Sequence, residues 1–224
     1  VYDFVRDDIA FGYNMDDAMS ASDVLRDGYG QCNTKGILLM ALLRGLGVPC
    51  RFHGFTIYNA LQKGALPSYV MPIAPRRIIH SWVEVYFEGN WINLEGFIID
   101  TPFLKQVQKA YPNAEAFQGY GIATPCLQSP QNSFDGSHTY IQAEGIADDF
   151  GTFDSPDAFF HQYGSNLSGL KKWAYKAFLN RIINRHVNIV REHGILGVRQ
   201  YLFAYFGTKK DASTQSGSAA QYSK

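Results

Sequence analysis

The sequence predicts an α+β fold: helices in the first 45 residues, an antiparallel sheet from about residue 50 to 99, and a mainly helical carboxyl-terminal part. Three observations lead there. Gly28-Tyr29-Gly30-Gln31-Cys32 is a glycine-rich turn that runs into the apolar stretch 37–43, the pattern of a helix opened at a cysteine. Segments 78–87 and 91–98 carry strand residues around Glu88-Gly89-Asn90, which supplies hairpin turn chemistry. From 168 to 193, Leu170, Trp173, Ala174, Ala177, Phe178, Ile182, Ile189 and Val190 follow a 3.6-residue period, with Lys171, Lys172, Lys176, Arg181, Arg185 and Arg191 at the other positions. That is one long, basic, amphipathic helix.

The elements follow in order. Residues 2–9 place Val5 and Ile9 on one face of a short helix. A second helix starts at Ser22 or Asp23, either of which can cap it. The cysteine helix ends at Gly45 or Gly47, and Pro49 prevents its continuation. Residues 51–58 read as a strand, with Phe52, Gly54 and Thr56 on one face and His53, Phe55 and Ile57 on the other. Residues 59–76 hold Pro67, Pro72 and Pro75 and read as a loop. Thr101-Pro102 opens a further helix through Leu104, Val107 and Tyr111. Residues 112–154 are rich in Gly, Pro, Gln and Ser; a stretch of that length without periodicity in a compact domain is functional or mobile.

Composition narrows the function. With 46% hydrophobic and 15% aromatic residues among 224, the chain is a globular protein with a sizeable core. No apolar run reaches the roughly 18–20 residues of a membrane span. Cys32, Cys50 and Cys126 are too few and of the wrong parity for a disulfide framework, although the sequence leaves a Cys50–Cys126 bridge open. Read as reduced thiols they imply a cytoplasmic setting. No Cys-x-x-Cys or His-x-x-x-His pair is present, so no metal and no cofactor is expected. The zero net charge hides an asymmetry. Residues 1–160 carry 10 Lys and Arg against 18 Asp and Glu, a balance of −8; residues 161–224 carry 10 against 2, a balance of +8. The basic helix 171–199 therefore suits an acidic partner, whereas nucleic acid is not expected.

The candidate chemistry centres on Cys32. Backbone N–H groups at a helix start are unpaired and lie at the positive end of the macrodipole, which favours a thiolate there. Downstream, His80 offers a base and Glu95 an orienting carboxylate, the order thiol-dependent acyl chemistry requires. Register decides whether these two meet. A Gly89-Asn90 turn sets Glu84 opposite Glu95 and leaves His80 distant; a four-residue loop, 87–90, sets Trp82 opposite Glu95 and brings His80 within diagonal reach. The site needs the second register. Asn93 is the alternative to Glu95, and Asp100 would point away from a continued strand. Gln31, Asn14 and Tyr13 are candidate oxyanion donors beside the Cys32 backbone N–H, and Trp82 is a candidate wall of the site.

Four strings carry a family resemblance. Gly30-Gln31-Cys32, Leu43-Arg44-Gly45-Leu46-Gly47-Val48-Pro49-Cys50-Arg51, His80-Ser81-Trp82-Val83-Glu84-Val85 and Trp91-Ile92-Asn93-Leu94-Glu95 follow one another as in the transglutaminase-like superfamily. The resemblance spans 21–100. It departs from the family pattern where Glu95 stands in place of the usual Asp. It implies a transglutaminase-like, cysteine-proteinase-like fold with Cys32, His80 and Glu95 catalytic, acting on a peptide, protein or small amide or acyl substrate. The chain has neither an Asp-x-Asp-x-Asp-Gly loop for calcium nor the cysteine pairs of the zinc-bearing peptide N-glycanase branch. The expected organisation is a catalytic domain at 1–155, a basic helical extension at 156–207 and a disordered tail at 208–224. Two other functions compete: a catalytically inactive binding module of the same fold, and docking to an acidic partner or membrane surface through the basic helix.

Overall fold

The computed structural model describes the backbone of residues 1–214 and the side chains of residues 1–198. Strand β1 (Ala10–Phe11) is followed by helix α1 (Ala21–Asp27), strand β2 (Tyr29–Gly30) and helix α2 (Cys32–Gly45). Strands β3 (Cys50–Tyr58), β4 (Arg77–Phe87) and β5 (Asn90–Leu94) come next, then helix α3 (Thr101–Ala110). Strands β6 (Phe117–Gly119), β7 (Ile122–Thr124) and β8 (Ile146–Phe153) precede helices α4 (Pro156–Tyr163), α5 (Gly169–Ala174) and α6 (Asn180–Thr214). Helix accounts for 45% and strand for 23%, an α+β composition.

The main sheet is antiparallel with order β5-β4-β3-β8. Helix α2 lies on one face, where the bare Gly36 meets Phe52, Phe97 and Ser81. One buried cluster runs from Val5 through Leu38, Phe52, Val83, Phe97 and Ile141 to Phe159, Ile183, Val187 and Val190. Phe159, Ile183, Val187 and Val190 thus share the core of the residues before them.

The hairpin corrects the expected loop and keeps the register. Glu88 and Gly89 form a two-residue turn, both at positive φ (48° and 87°), which matches the twist of the strands it joins. Phe87 pairs with Asn90 and Val83 with Leu94, so Trp82 stands opposite Glu95 without a four-residue loop. Strand β5 stops at Leu94, four residues short of the expected end, and Gly96–Ile98 is a 3₁₀ turn.

Three further expectations are corrected. Strand β8 emerges from the stretch 112–154; Ile146-Ala147-Asp148-Asp149-Phe150-Gly151 has no two-residue apolar alternation, because it pairs with β3 through two register shifts. The long helix over 168–193 is present as α5, a π turn (Tyr175–Leu179) and the start of α6, but its buried face differs. Ile183, Val187 and Val190 are inside, whereas Leu170, Trp173, Phe178 and Ile182 are exposed. The wider π turn rotates everything after it relative to a uniform 3.6 period. Finally, α6 continues through Thr214 after a break at Gly194 (φ 74°), so residues 208–214 are helical; residues 215–224 lie outside the described residues. Among the described residues, no helix is long and apolar enough to cross a membrane.

Candidate active site

Cys32 is the first residue of α2, where the chain swings out of β2. A Cβ on Gly30 would come within 2.7 Å of Thr34 Oγ1 and 2.8 Å of Lys35 Cγ, so this approach is open only to glycine. The Thr34 hydroxyl accepts from Gln31 N at 3.0 Å and donates to Asn14 Oδ1 at 2.6 Å. The helix start is therefore fixed by the Thr34 hydroxyl and by the Asn14 side chain that accepts from it.

His80 lies on β4 and is fully buried, as is Glu95. His80 Nε2 pairs with Glu95 Oε1 at 2.9 Å. The other carboxylate oxygen, Oε2, accepts from two backbone N–H groups, Ile141 and Gln142, each at 2.9 Å. Thr139 completes the clamp, its hydroxyl accepting from Glu95 N and Gly96 N at 3.1 Å. The irregular stretch 112–154 thus anchors the acid. Glu95 itself is held and cannot swing.

The second imidazole nitrogen, Nδ1, is buried and without a hydrogen-bond partner. Cys32 is nevertheless close enough to act on the ring. Burial alone would depress the His80 pKa, but the charge and hydrogen-bonding capacity of Cys32, and then Glu95, outweigh it and raise the value to about 10.

What holds Cys32 against His80 is a polar lattice that sequence reading missed. Asn33, fully buried, donates to Ile79 O at 3.1 Å and accepts from Ser81 Oγ at 2.8 Å, gripping both neighbours of His80. Asp17 accepts from Gln31 Nε2 at 2.7 Å, Asn33 Nδ2 at 3.3 Å and Asn166 N at 2.9 Å. Burial raises the Asp17 pKa against those hydrogen bonds. Asn166 in turn accepts from Ile79 N at 2.7 Å. These roles depend on contacts between distant segments, and only the position of Asn33 next to Cys32 hinted at one of them.

The other candidates separate. Gln31, Tyr13 and Asn14 line a cavity that contains Cys32. Asn14 spends its amide on Asp27 Oδ2 and Tyr29 O, both at 3.0 Å, and has no N–H left for an oxyanion. The Tyr13 hydroxyl donates to Gln62 Oε1; burial, then the nearby Tyr175 and Cys32, keep it protonated well above the ordinary tyrosine range. Gln31 Nε2 has one N–H on Asp17 and a second available. Trp82 does not wall the cavity: its ring packs on Phe55 at 4.1 Å and Tyr140 at 5.8 Å. Asn93 pairs across the hairpin with Glu84 and donates to Tyr140 Oη at 2.9 Å, away from His80. Asp100 caps α3 through Phe103 N at 2.8 Å and pairs with Arg191 at 2.9 Å.

A second histidine cluster stands apart. Glu84 pairs with Arg51 and His53 at 2.5 Å each, and His53 reaches Asp149 at 2.8 Å. Burial works against the His53 charge, but Glu84 and Asp149 raise its pKa. All three cysteines are free thiols, so Cys50 and Cys126 are not bridged. Among the described residues, no group of three or more His, Cys, Asp or Glu is arranged to hold a metal ion.

Comparison with known families gives one finding. Residues 1–96 match the family model of the transglutaminase-like superfamily, a span that takes in Cys32, His80 and Glu95. No curated protein and no solved structure matches the chain.

Proposed function

From the transglutaminase-like match of residues 1–96, which points to cysteine-based acyl transfer or hydrolysis, we propose that Cys32 forms a thioester with the acyl group of an amide. One observation carries this reading: His80 is tied through Nε2 to a carboxylate locked by two backbone N–H groups, which leaves Nδ1 as the only ring atom available to the thiol.

The steps follow from that geometry. His80 Nδ1 takes the Cys32 proton, and Glu95 stabilises the imidazolium and fixes its orientation. The sulfur attacks the carbonyl carbon; the oxyanion accepts from the Cys32 backbone N–H at the start of α2 and from the free N–H of Gln31. Collapse breaks the C–N bond, and His80 returns its proton to the departing amine. His80 then activates water, which yields the acid, or an incoming amine, which yields a new amide.

Intact-mass analysis after incubation with acyl p-nitroanilides tests the assignment. A mass increase equal to the acyl group should localise to Cys32, disappear in Cys32→Ala and fall at least a hundredfold in rate in His80→Ala. An adduct that persists in Cys32→Ala would remove the reading.

A further inference from the structure

The cavity holding Cys32 encloses about 130 Å³, close to the roughly 150 Å³ that accommodates benzene in a protein core. Its wall is divided. Tyr13, Gln31, Gln62 and Gln142 supply polar groups to it, and Leu66, Val70, Ile78, Leu167, Leu179 and Ile183 belong to the larger, apolar share. It reaches the surface at Ile73 and Lys171, both exposed. Its buried charges are already satisfied within the fold. Asp16 pairs with Lys172 at 2.7 Å and Lys176 at 2.9 Å, and Asp17 is held by Gln31, Asn33 and Asn166.

Gln142 adds a second, independent sign. It is 3% exposed, and its amide nitrogen donates to Gly121 O, which fixes the orientation of the carboxamide. Its Oε1 has no partner, although a buried, unsatisfied acceptor is costly. A ligand N–H is the group that would satisfy it. Its backbone N–H holds Glu95, so the same residue links the cavity to the acid behind His80.

We propose that this cavity selects the substrate: an amide whose acyl group is uncharged and apolar, about the size of a phenyl ring or a five- to six-carbon chain, and whose N–H donates to Gln142 Oε1. The proposal rests on Cys32 being the acyl-accepting nucleophile. In the step it describes, the S–C bond forms, the C–N bond breaks, the amine leaves with the proton from His80, and water later releases the apolar carboxylic acid. A charged acyl group is rejected because its charge would lose hydration against a mostly apolar wall, where Lys171, the lining cation outside the Asp16 ion pairs, stands at the exposed mouth.

The experiment compares hexanoyl, acetyl and glutaryl p-nitroanilides with the full chain, reading p-nitroaniline release and the Cys32 adduct mass. The hexanoyl compound should exceed the glutaryl one at least tenfold in kcat/KM. Leu179→Trp, which enlarges an apolar lining side chain into the cavity, should remove the hexanoyl advantage while acetyl turnover persists. Gln142→Met should lower hexanoyl anilide turnover at least tenfold and leave p-nitrophenyl hexanoate, an ester without an N–H, within about twofold. Equal or faster glutaryl turnover overturns the apolar pocket. Equal losses on ester and anilide overturn the role of Gln142. These outcomes differ from absence of any Cys32 adduct with all three donors, which would overturn the nucleophile itself.

Discussion

At Glu95 a single carboxylate does two jobs with its two oxygens, and the substitution Glu95→Gln separates them. The amide keeps one acceptor, so it can hold His80 or the Ile141–Gln142 N–H pair, but not both without turning its NH₂ toward a donor. Glu95→Gln should fold and slow adduct formation by about 10²–10⁴-fold. Asn93→Ala, which loses only a bond to Tyr140, should stay within about threefold by the same assay. The pH profile gives a companion test. With His80 held protonated to about pH 10 chiefly by Cys32 and Glu95 against burial, the rate attributable to the charged pair should decline only near that pH. In Glu95→Gln the alkaline limb should move downward; an unmoved limb would mean that Glu95 does not support the imidazolium. Cys32, His80 and Glu95 were legible because each sits in a local string whose order is informative. Asp17, Asn33, Asn166 and Gln142 were not, because backbone N–H donors and cross-segment amides leave no periodic trace.

Among the elements, the carboxyl-terminal helix shows what a uniform period misses. The π turn (Tyr175–Leu179) puts Ile183 at 2% exposure and leaves Phe178 at 49%, the reverse of what one 3.6-residue stripe gives. Ile183→Ala should therefore cost about 2–4 kcal/mol in urea unfolding, through lost burial and a cavity. Phe178→Ala should change stability by only about 0.5 kcal/mol. Equal costs would place both residues on one face and contradict this packing. Strand β8 was unreadable for a related reason: Asp148 and Asp149 stand where a half-buried strand would carry apolar residues, and they are accommodated by Arg77, Thr56 and His53. Parity alone left two hairpin registers open, and the one observed is the one that the His80–Glu95 contact required, reached with a two-residue turn in place of the four-residue loop.

For the whole molecule, the charge asymmetry of the sequence is partly consumed within the fold. Lys172 and Lys176 pair with Asp16, and Arg191 pairs with Asp100, so cations of the basic helix meet acids of the amino-terminal part. Two buried cations set the response of stability to pH. Lys35 donates to Arg6 O at 3.0 Å and Ile98 O at 3.1 Å, and burial pulls its pKa down to about 7. Unfolded, the amine keeps its proton up to its ordinary value of 10.5, so between about pH 7 and 10.5 the unfolded chain binds more protons at this site and stability rises with pH. His80 works in the opposite sense. Its folded pKa of about 10 exceeds the ordinary 6.5, so its contribution is full below pH 6.5 and is lost as pH rises toward 10. The two slopes oppose each other across the same range. Lys35→Met should leave the His80 slope uncompensated, and the melting temperature should fall more steeply from pH 7 to 9.5 than in the parent protein. A shallower fall would contradict the buried lysine titrating in this window.

The most direct test of the central claim is the rate at which iodoacetamide labels each cysteine near neutral pH, read by peptide mass. Cys126 is exposed, whereas Cys32 and Cys50 are buried, so accessibility alone would make Cys126 the fastest. Activation by His80 reverses that order. Cys32 should react first in the parent protein and lose its lead in His80→Ala, while Cys50 and Cys126 keep their rates. Labelling led by Cys126, with a Cys32 rate indifferent to His80→Ala, would contradict a nucleophile built from Cys32, His80 and Glu95.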